Sequence, residues 1–272
     1  DYVSWVNPYV ETARGRYFYF VTGNQPYGMI GAAPLTRNKN QYGGGYNYNS
    51  LEVLGFPQIH CWMLSGLVVM PVTGNVNPSL GEEGWKSPFL HTGEIVQPGY
   101  HRLFLEKYKI GVEQTATDRV GFYRLTYTEG GTADVLLSLG GYVGTSTMVN
   151  AHVYKKDNQR VEGYFDTTGR LWGGPDVVRI YFAVSFDTPF LSLDGWNEQT
   201  VTENVDAWTG KKECTPRNAG MSYYDAPTTG VKAHYRVKPG TQIQVKTAIS
   251  YVSTKNAWEN MQTECAHWDF DK

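Results

Sequence analysis

The sequence predicts an all-β protein built as a large antiparallel β-sandwich of the supersandwich type, with a short connector helix at its C-terminal end. Three segments alternate apolar and polar residues with the two-residue period of a half-buried strand: 120–128, 177–187 and 242–252. Gly and Pro punctuate the chain, as at Pro98-Gly99, and no long helical pattern separates the strands. A long series of short strands is typical of one sandwich domain.

The last of these strands shows the alternation most clearly. One face carries Ile243, Val245, Thr247, Ile249 and Tyr251, and the opposite face carries Gln242, Gln244 and Lys246. Such a strand covers a core with one face only. We therefore divide the chain into a β-sandwich over 1–252 and a different segment over 253–272.

The segment 253–272, "STKNAWENMQTECAHWDFDK", has a helical period. Trp258, Met261 and Cys265 form one apolar stripe, and Ser253 or Thr254 is suited to the N-cap. Periodicity alone leaves two interpretations open. The helix begins a connector to a further domain, or it is a C-terminal helix packed on the sandwich.

Composition excludes several classes of partner. The 272 residues carry a formal charge of −2, with scattered Lys and Arg, which argues against nucleic acid as a partner. No apolar run has the length of a membrane span, and no signal peptide is visible. The 20 Tyr and 8 Trp suit both a pleated sheet and the stacking of sugar rings. Three cysteines, far apart, form no disulfide framework and leave the redox compartment open.

Motifs for nucleotide or acyl-transfer chemistry are absent from the sequence. No G-x-G-x-x-G opens a helix, and there is no Walker or G-x-S-x-G motif. No pair of carboxylates stands out as the acid and base of a glycosidase. The six histidines have no metal-ligand spacing, so the sequence predicts no metal site and no catalytic residue in this chain.

One stretch raises a specific question about a site. "GFPQIHCWMLSGLVVMP" places His60 and Trp62 just before an apolar run. By chemistry alone, a buried and hydrogen-bonded histidine is the commoner role for His60, and core or edge packing is the commoner role for Trp62.

A series of motifs in the first third resembles the N-terminal domain of glycoside hydrolase family 92, the α-mannosidases. The motifs are "VNPYVET" from Val6, "PYGM" from Pro26, "APLT" from Ala33, "GYNY" from Gly45 and "GFPQIH" from Gly55. Two later segments, 98–127 and 256–272, also resemble family segments in the same order. The resemblance covers nearly the whole chain.

The resemblance implies a parent enzyme that is an inverting, calcium-dependent exo-α-mannosidase acting on terminal α-mannosides of glycans. In this family the sandwich leads through a connector into an (α/α) barrel, which carries the catalytic carboxylates and most of the calcium site. This chain is then expected to be inactive alone and to complete the substrate pocket against its own C-terminal catalytic domain. The family also implies a periplasmic, cell-surface or secreted location.

The same resemblance favours a site role for six residues. His60, Trp62, Tyr46 and Tyr48 are expected to line the sugar pocket at the domain interface, with Arg14 and Arg16 as further candidates. Aromatic rings stack on the C–H faces of sugars, and His and Arg bind hydroxyls.

Two departures from the family pattern keep alternatives open. Leu35 stands where the family usually has aspartate, and Pro57 replaces a serine. The alternative functions are a free-standing carbohydrate-binding sandwich and a non-hydrolytic homologue of the mannosidases. An enzyme complete within these 272 residues ranks third.

Overall fold

The computed structural model describes residues 2–10, 12–13, 25, 27–36, 45–61, 64–140, 142–143, 146–168, 177–198, 200–211 and 228–272. The described strands are β1 (Glu52–Val53), β2 (Phe56–Cys61), β3 (Leu64–Thr73), β4 (Ser87–Pro88), β5 (Ile95–Gln97), β6 (Tyr100–Leu105), β7 (Ile110–Ala116), β8 (Val120–Tyr127), β9 (Gly131–Ser138), β10 (Tyr142–Val143), β11 (Ser146–Asp157), β12 (Arg160–Thr168), β13 (Val177–Phe186), β14 (Leu193–Trp196), β15 (Val201–Thr202), β16 (Ala207–Lys211), β17 (Gly230–Val237) and β18 (Gln242–Ser250). The described helices are α1 (Glu82–Trp85), α2 (Thr254–Glu264) and three 3₁₀ turns at Tyr2–Trp5, Pro78–Leu80 and His91–Gly93.

Two large sheets form the sandwich. The ten-stranded large sheet has the order β10-β11-β12-β13-β18-β8-β7-β6-β5, with β16 also paired to β11. The six-stranded small sheet has the order β15-β14-β17-β9-β3-β2, and β1 pairs with β4 separately. The main ladders are antiparallel, for example β12 with β13 and β17 with β9. This arrangement confirms the predicted large antiparallel β-sandwich.

The main core lies between the two sheets. Phe165 and Phe182 of the large sheet are fully buried in one apolar cluster with Val69 and Leu137 of the small sheet. The sheets approach so closely that a Cβ on Gly66 of β3 would stand 2.0 Å from the ring of Phe165. Close packing of this kind leaves no room for a larger side chain at position 66.

A second apolar cluster lies on the outer face of the large sheet, under α2. Val120, Phe122 and Ala248 of the strands pack against Met261 and Cys265 of the C-terminal segment. This confirms the predicted apolar stripe and shows the helix packed on the sandwich. The division at residue 252 into a sandwich and the start of a connector stays a prediction.

The N-cap and the last strand refine the sequence prediction. Ser253 is the N-cap of α2, and its side chain accepts a hydrogen bond from the Asn256 amide at 3.1 Å. Lys246, on the face opposite the core, is buried because the C-terminal segment covers it. Its Nζ donates to the carbonyls of Cys265 at 2.9 Å and His267 at 3.2 Å. Tyr251 follows the end of β18 and is exposed.

Among the described residues, no helix has the length and apolar character needed to cross a membrane.

Candidate functional site

The structure describes the six predicted site residues unevenly. Arg14, Arg16 and Trp62 lie outside the described residues. For His60 only the backbone is described, within β2, where it pairs with Ser65. Tyr46 and Tyr48 are described in full, with their side chains.

Strand β2, which carries His60, is fixed by a buried amide. Gln58 is fully buried, and its Nε2 donates to the Tyr123 hydroxyl of β8 while its Oε1 accepts from the Thr247 hydroxyl of β18. These bonds join the small sheet to the large one. The space for the amide exists because position 121 is glycine: a Cβ there would stand 2.2 Å from the Gln58 Oε1. Directional bonds to two strands fix the position of β2 more closely than apolar contact does.

The backbone opposite Gln58 is unusual. Leu67 of β3 has a φ of 42°, in the left-handed region that a non-glycine residue occupies at a cost. Strained backbone of this kind clusters at functional sites, where the surrounding structure enforces it. The side chain of Leu67 is fully buried in the core.

Tyr46 bonds to a buried carboxylate, Glu94, which lies just before β5, and Tyr48 is joined to the same carboxylate through His91. The Glu94 side chain is 0% exposed, and its Oε2 accepts hydrogen bonds from the Tyr46 hydroxyl at 3.0 Å and from His91 Nδ1 at 2.7 Å. Its Oε1 accepts from His101 Nε2 at 2.8 Å. We call Glu94, His91, His101, Tyr46 and Tyr48 the Glu94 cluster.

His91 links Glu94 to Tyr48 in two ways. The Nε2 of its ring lies 2.7 Å from the Tyr48 carbonyl oxygen, and the ring stacks on the Tyr48 ring at 4.1 Å with an interplanar angle of 9°. The opposite side of the contact is closed by Tyr9, whose ring meets Tyr48 edge-on at 5.3 Å. Tyr48 therefore has a fixed position while 40% of its surface remains exposed.

The charge of Glu94 is stabilised by its donors. Burial acts to raise the pKa of Glu94, but hydrogen bonds from His101, His91 and Tyr46 outweigh it and hold the pKa below its ordinary value. Burial, followed by the nearby Glu94 charge, raises the pKa of both Tyr46 and Tyr9. At neutral pH the Tyr46 hydroxyl is therefore protonated and donates to the Glu94 carboxylate.

The sequence did not point to Glu94, His91 or His101. His91 and Glu94 are three residues apart on a 3₁₀ turn, and His101 follows on β6, where inward positions alternate. The signal in the sequence is the spacing of His91 and Glu94, three residues apart and just before a strand. The spacing between histidines alone does not reveal a carboxylate that two of them share.

An exposed apolar segment adjoins the Glu94 cluster along the chain. The 3₁₀ turn Tyr2–Trp5 precedes Tyr9 by a few residues, and Tyr2 and Trp5 are 81% and 80% exposed. Val6 and Val10 are exposed as well. Contiguous exposed apolar side chains mark surfaces that another molecule or domain covers.

The described residues do not fit a metal site. No group of three or more His, Cys, Asp or Glu side chains in the described ranges is placed to share a metal ion. In the Glu94 cluster the imidazole nitrogens bond directly to the carboxylate oxygens, which leaves no ligand free. The calcium implied by the family resemblance is therefore not assigned to any described residue.

Comparison with known proteins identifies the family. The profile of the glycosyl hydrolase family 92 N-terminal domain matches residues 5–250. The chain belongs to this family. The family resemblance noted in the sequence is thus confirmed. No curated protein sequence matches the chain.

Solved structures of family 92 enzymes share the fold of this N-terminal domain. The family GH92 α-mannosidase of Bacteroides thetaiotaomicron is 25% identical with a TM-score of 0.79, and the match covers 96% of this chain and 35% of that one. Its complex with mannoimidazole matches with a TM-score of 0.78 at 24% identity, over 96% of this chain and 34% of that one. An inverting family GH92 mannosidase of the same organism has a TM-score of 0.77 at 19% identity, covering 99% and 34%.

The chain spans about a third of the length of each solved mannosidase that it matches. The fold and the glycoside hydrolase family follow from the comparisons.

Proposed function

We propose that this chain is the N-terminal domain of an inverting exo-α-mannosidase and completes the substrate pocket against a C-terminal catalytic domain. The observation that carries the proposal is the exposed apolar segment with Tyr2 and Trp5, which leads directly to Tyr9 and the half-exposed Tyr48. A second domain that covers this segment would close over Tyr48 and form an enclosed site. Ligand pockets commonly form at such domain interfaces.

The proposed pocket divides the work between the domains. Tyr48 offers a fixed aromatic ring to a sugar, and His60, Trp62, Tyr46, Arg14 and Arg16 remain the other candidates of this domain for lining the pocket. The catalytic acid, the base and the calcium belong to the other domain in this proposal, so the 272-residue chain is inactive alone. The parent acts on terminal α-mannosides of glycans outside the cytoplasm, in the periplasm, at the cell surface or in the medium.

A second candidate, a non-hydrolytic homologue, has a specific observation in its favour. Leu35, which replaces the aspartate usual in the family, is only 2% exposed and packs against the buried Leu54. Its backbone amide and carbonyl bond to Gly55 and Leu54, so the position is part of the packed structure. An apolar residue there offers no hydrogen bond to a sugar.

Mannose release by the full-length protein tests the proposal. We expect calcium-dependent release of mannose from α-mannobiosides, abolished by a chelator, with β-mannose as the first product because the mechanism inverts the anomeric centre. The 272-residue chain should release none. Full-length protein that releases no mannose, together with mannoside binding by the short chain in calorimetry, would replace the enzyme with a binding module.

A substitution in the full-length protein tests the pocket itself. His60→Ala should raise KM for the mannoside, because a hydroxyl-binding group is removed, while the fold is kept. His152→Ala is the matched control, since His152 lies on β11 of the large sheet rather than on β2, and its ring stacks on Tyr164. Equal kinetics for both variants would remove His60 from the site.

A further inference from the structure

The two ring nitrogens of His91 face two acceptors. Nδ1 lies 2.7 Å from the Glu94 carboxylate, and Nε2 lies 2.7 Å from the Tyr48 carbonyl oxygen. Neither acceptor can donate a proton, so both hydrogen bonds exist together only when the imidazole is protonated on both nitrogens. A neutral ring keeps the bond to the carboxylate and turns a lone pair toward the carbonyl.

The described contacts of the His91 ring come from a carboxylate and from aromatic rings. On one side stands the buried Glu94 carboxylate, and on the other the ring of Tyr48 stacks at 4.1 Å. Tyr46 and His101 bond to the same carboxylate, and Tyr9 contacts Tyr48 from its far side. Apart from Glu94, no charged carboxylate or ammonium group takes part in the described contacts of the His91 ring.

The segment held by this bond carries the exposed ring of the proposed pocket. Other bonds also hold the segment: the Asn47 amide donates to Thr36 Oγ1 at 2.6 Å, and the Tyr48 amide donates to the Thr12 carbonyl at 3.3 Å. Loss of the His91 bond therefore shifts Tyr48 without unfolding the segment.

We infer that His91 and Glu94 are positioning residues of the sugar pocket, and that the His91 ring, bonded to the Glu94 carboxylate and to the Tyr48 carbonyl, holds Tyr48 in the orientation that receives the mannoside. This inference rests on the proposed function, because the pocket is the one proposed above. Removal of the His91 ring nitrogens releases the Tyr48 carbonyl, so sugar affinity falls. The reacting groups are unaffected, so the effect is on KM rather than on kcat.

The test compares the mannoside kinetics of full-length wild type with those of His91→Phe. Phenylalanine keeps the stack on Tyr48 but makes neither hydrogen bond, and Glu94 retains Tyr46 and His101. We expect the ratio of the variant's KM to that of wild type to be about tenfold, with kcat unchanged.

Two further variants sharpen the comparison. His152→Phe is the matched control, since His152 also stacks on a tyrosine, Tyr164, at 4.5 Å, and its KM ratio should stay near one. Glu94→Gln removes the carboxylate that the His91 ring faces and should also raise KM. Glu94→Gln covers the case in which His91→Phe fails to fold.

Hydrogen–deuterium exchange separates this inference from the proposed function. Exchange of the peptide that contains residues 46–50 should be faster in His91→Phe than in wild type. A KM ratio near one, with normal mannoside turnover, overturns the positioning role and leaves the proposed function standing. Altered exchange in a protein that neither binds nor cleaves mannosides overturns the proposed function, and the pocket role with it.

Discussion

Replacement of Gln58 by methionine should destabilise the sandwich by about 3 kcal/mol, because the amide of Gln58 joins the two sheets. Methionine has nearly the same volume, so no cavity is created. What is lost are the bonds to the Tyr123 and Thr247 hydroxyls, both deep in the core.

The loss of about 3 kcal/mol is estimated from the hydrogen bonds that each hydroxyl retains in the variant. An unsatisfied buried polar group costs about 1–3 kcal/mol. Tyr123 keeps no other hydrogen bond in the described structure and bears the larger cost, of about 2 kcal/mol. Thr247 retains a long bond of 3.4 Å to the Gly121 carbonyl and bears about 1 kcal/mol.

Urea unfolding of the 272-residue chain measures this effect. With an m value of about 3 kcal/mol/M, the unfolding midpoint should fall by about 1 M. Gln242→Met is the matched control, because the Gln242 side chain is exposed and, among the described residues, bonds to Thr126 Oγ1 at 3.2 Å. Its free energy of unfolding should change by less than about 0.5 kcal/mol.

A double-mutant cycle identifies the cause. In Gln58→Met with Tyr123→Phe, the orphaned hydroxyl is gone, so the double variant should be about 1–2 kcal/mol more stable than Gln58→Met alone. Strict additivity of the two single changes would show that the Gln58–Tyr123 bond does not hold the sheets. A Gln58→Met midpoint equal to that of wild type would refute the whole argument.

Two further predictions concern buried charges. Lys246→Met should lower the free energy of unfolding by about 2 kcal/mol because two carbonyls of the C-terminal segment lose their donor; Lys255→Met, at an exposed position on α2, is the control, and equal melting temperatures would contradict the prediction. The hydrogen bond from His234 to Asp134, opposed by burial and helped by Asp194, raises the pKa of His234 from 6.5. His234 therefore stabilises the fold fully below pH 6.5 and loses this contribution as the pH rises through its raised folded value, so the stability difference from His234→Gln should shrink with pH, and a constant difference would show that the ring acts without its charge.

The alternation of apolar and polar residues predicted the strands, because the sequence of a single strand is enough to show which of its faces is buried. The segments around Val120, Val177 and Gln242 became β8, β13 and β18, and Ile243 and Val245 lie in the core as expected. The order of strands within each sheet depends on long-range pairing. Alternation within a single strand carries no information about that order.

The burial of Lys246 was not predictable from its own strand. Alternation placed it on the outer face, which is correct, but that face is covered by the C-terminal segment. Whether an outer face is wet depends on what packs over it, and this contact joins residues about twenty positions apart.

The Glu94 cluster was missed for a related reason. Tyr46 was proposed as a sugar-binding residue from its motif, and the structure shows its hydroxyl already bonded to Glu94, 48 residues away. A sugar-binding role for Tyr46 stays a prediction. In the structure its hydroxyl bond helps to hold the segment that presents Tyr48.

The two best-defined parts of the candidate site are both held in place by a buried, hydrogen-bonded polar side chain. Gln58 fixes the strand that carries His60, and Glu94 fixes the segment that carries Tyr48, each by hydrogen bonds from a buried polar side chain. Apolar contacts tolerate small shifts, whereas hydrogen bonds weaken steeply when distance or angle changes. A pocket that must hold one sugar in one orientation needs side chains that are positioned by hydrogen bonds. We therefore expect both Gln58→Met and His91→Phe to raise KM in the full-length protein. Of the two, Gln58→Met alone is expected to reduce the stability of the fold strongly.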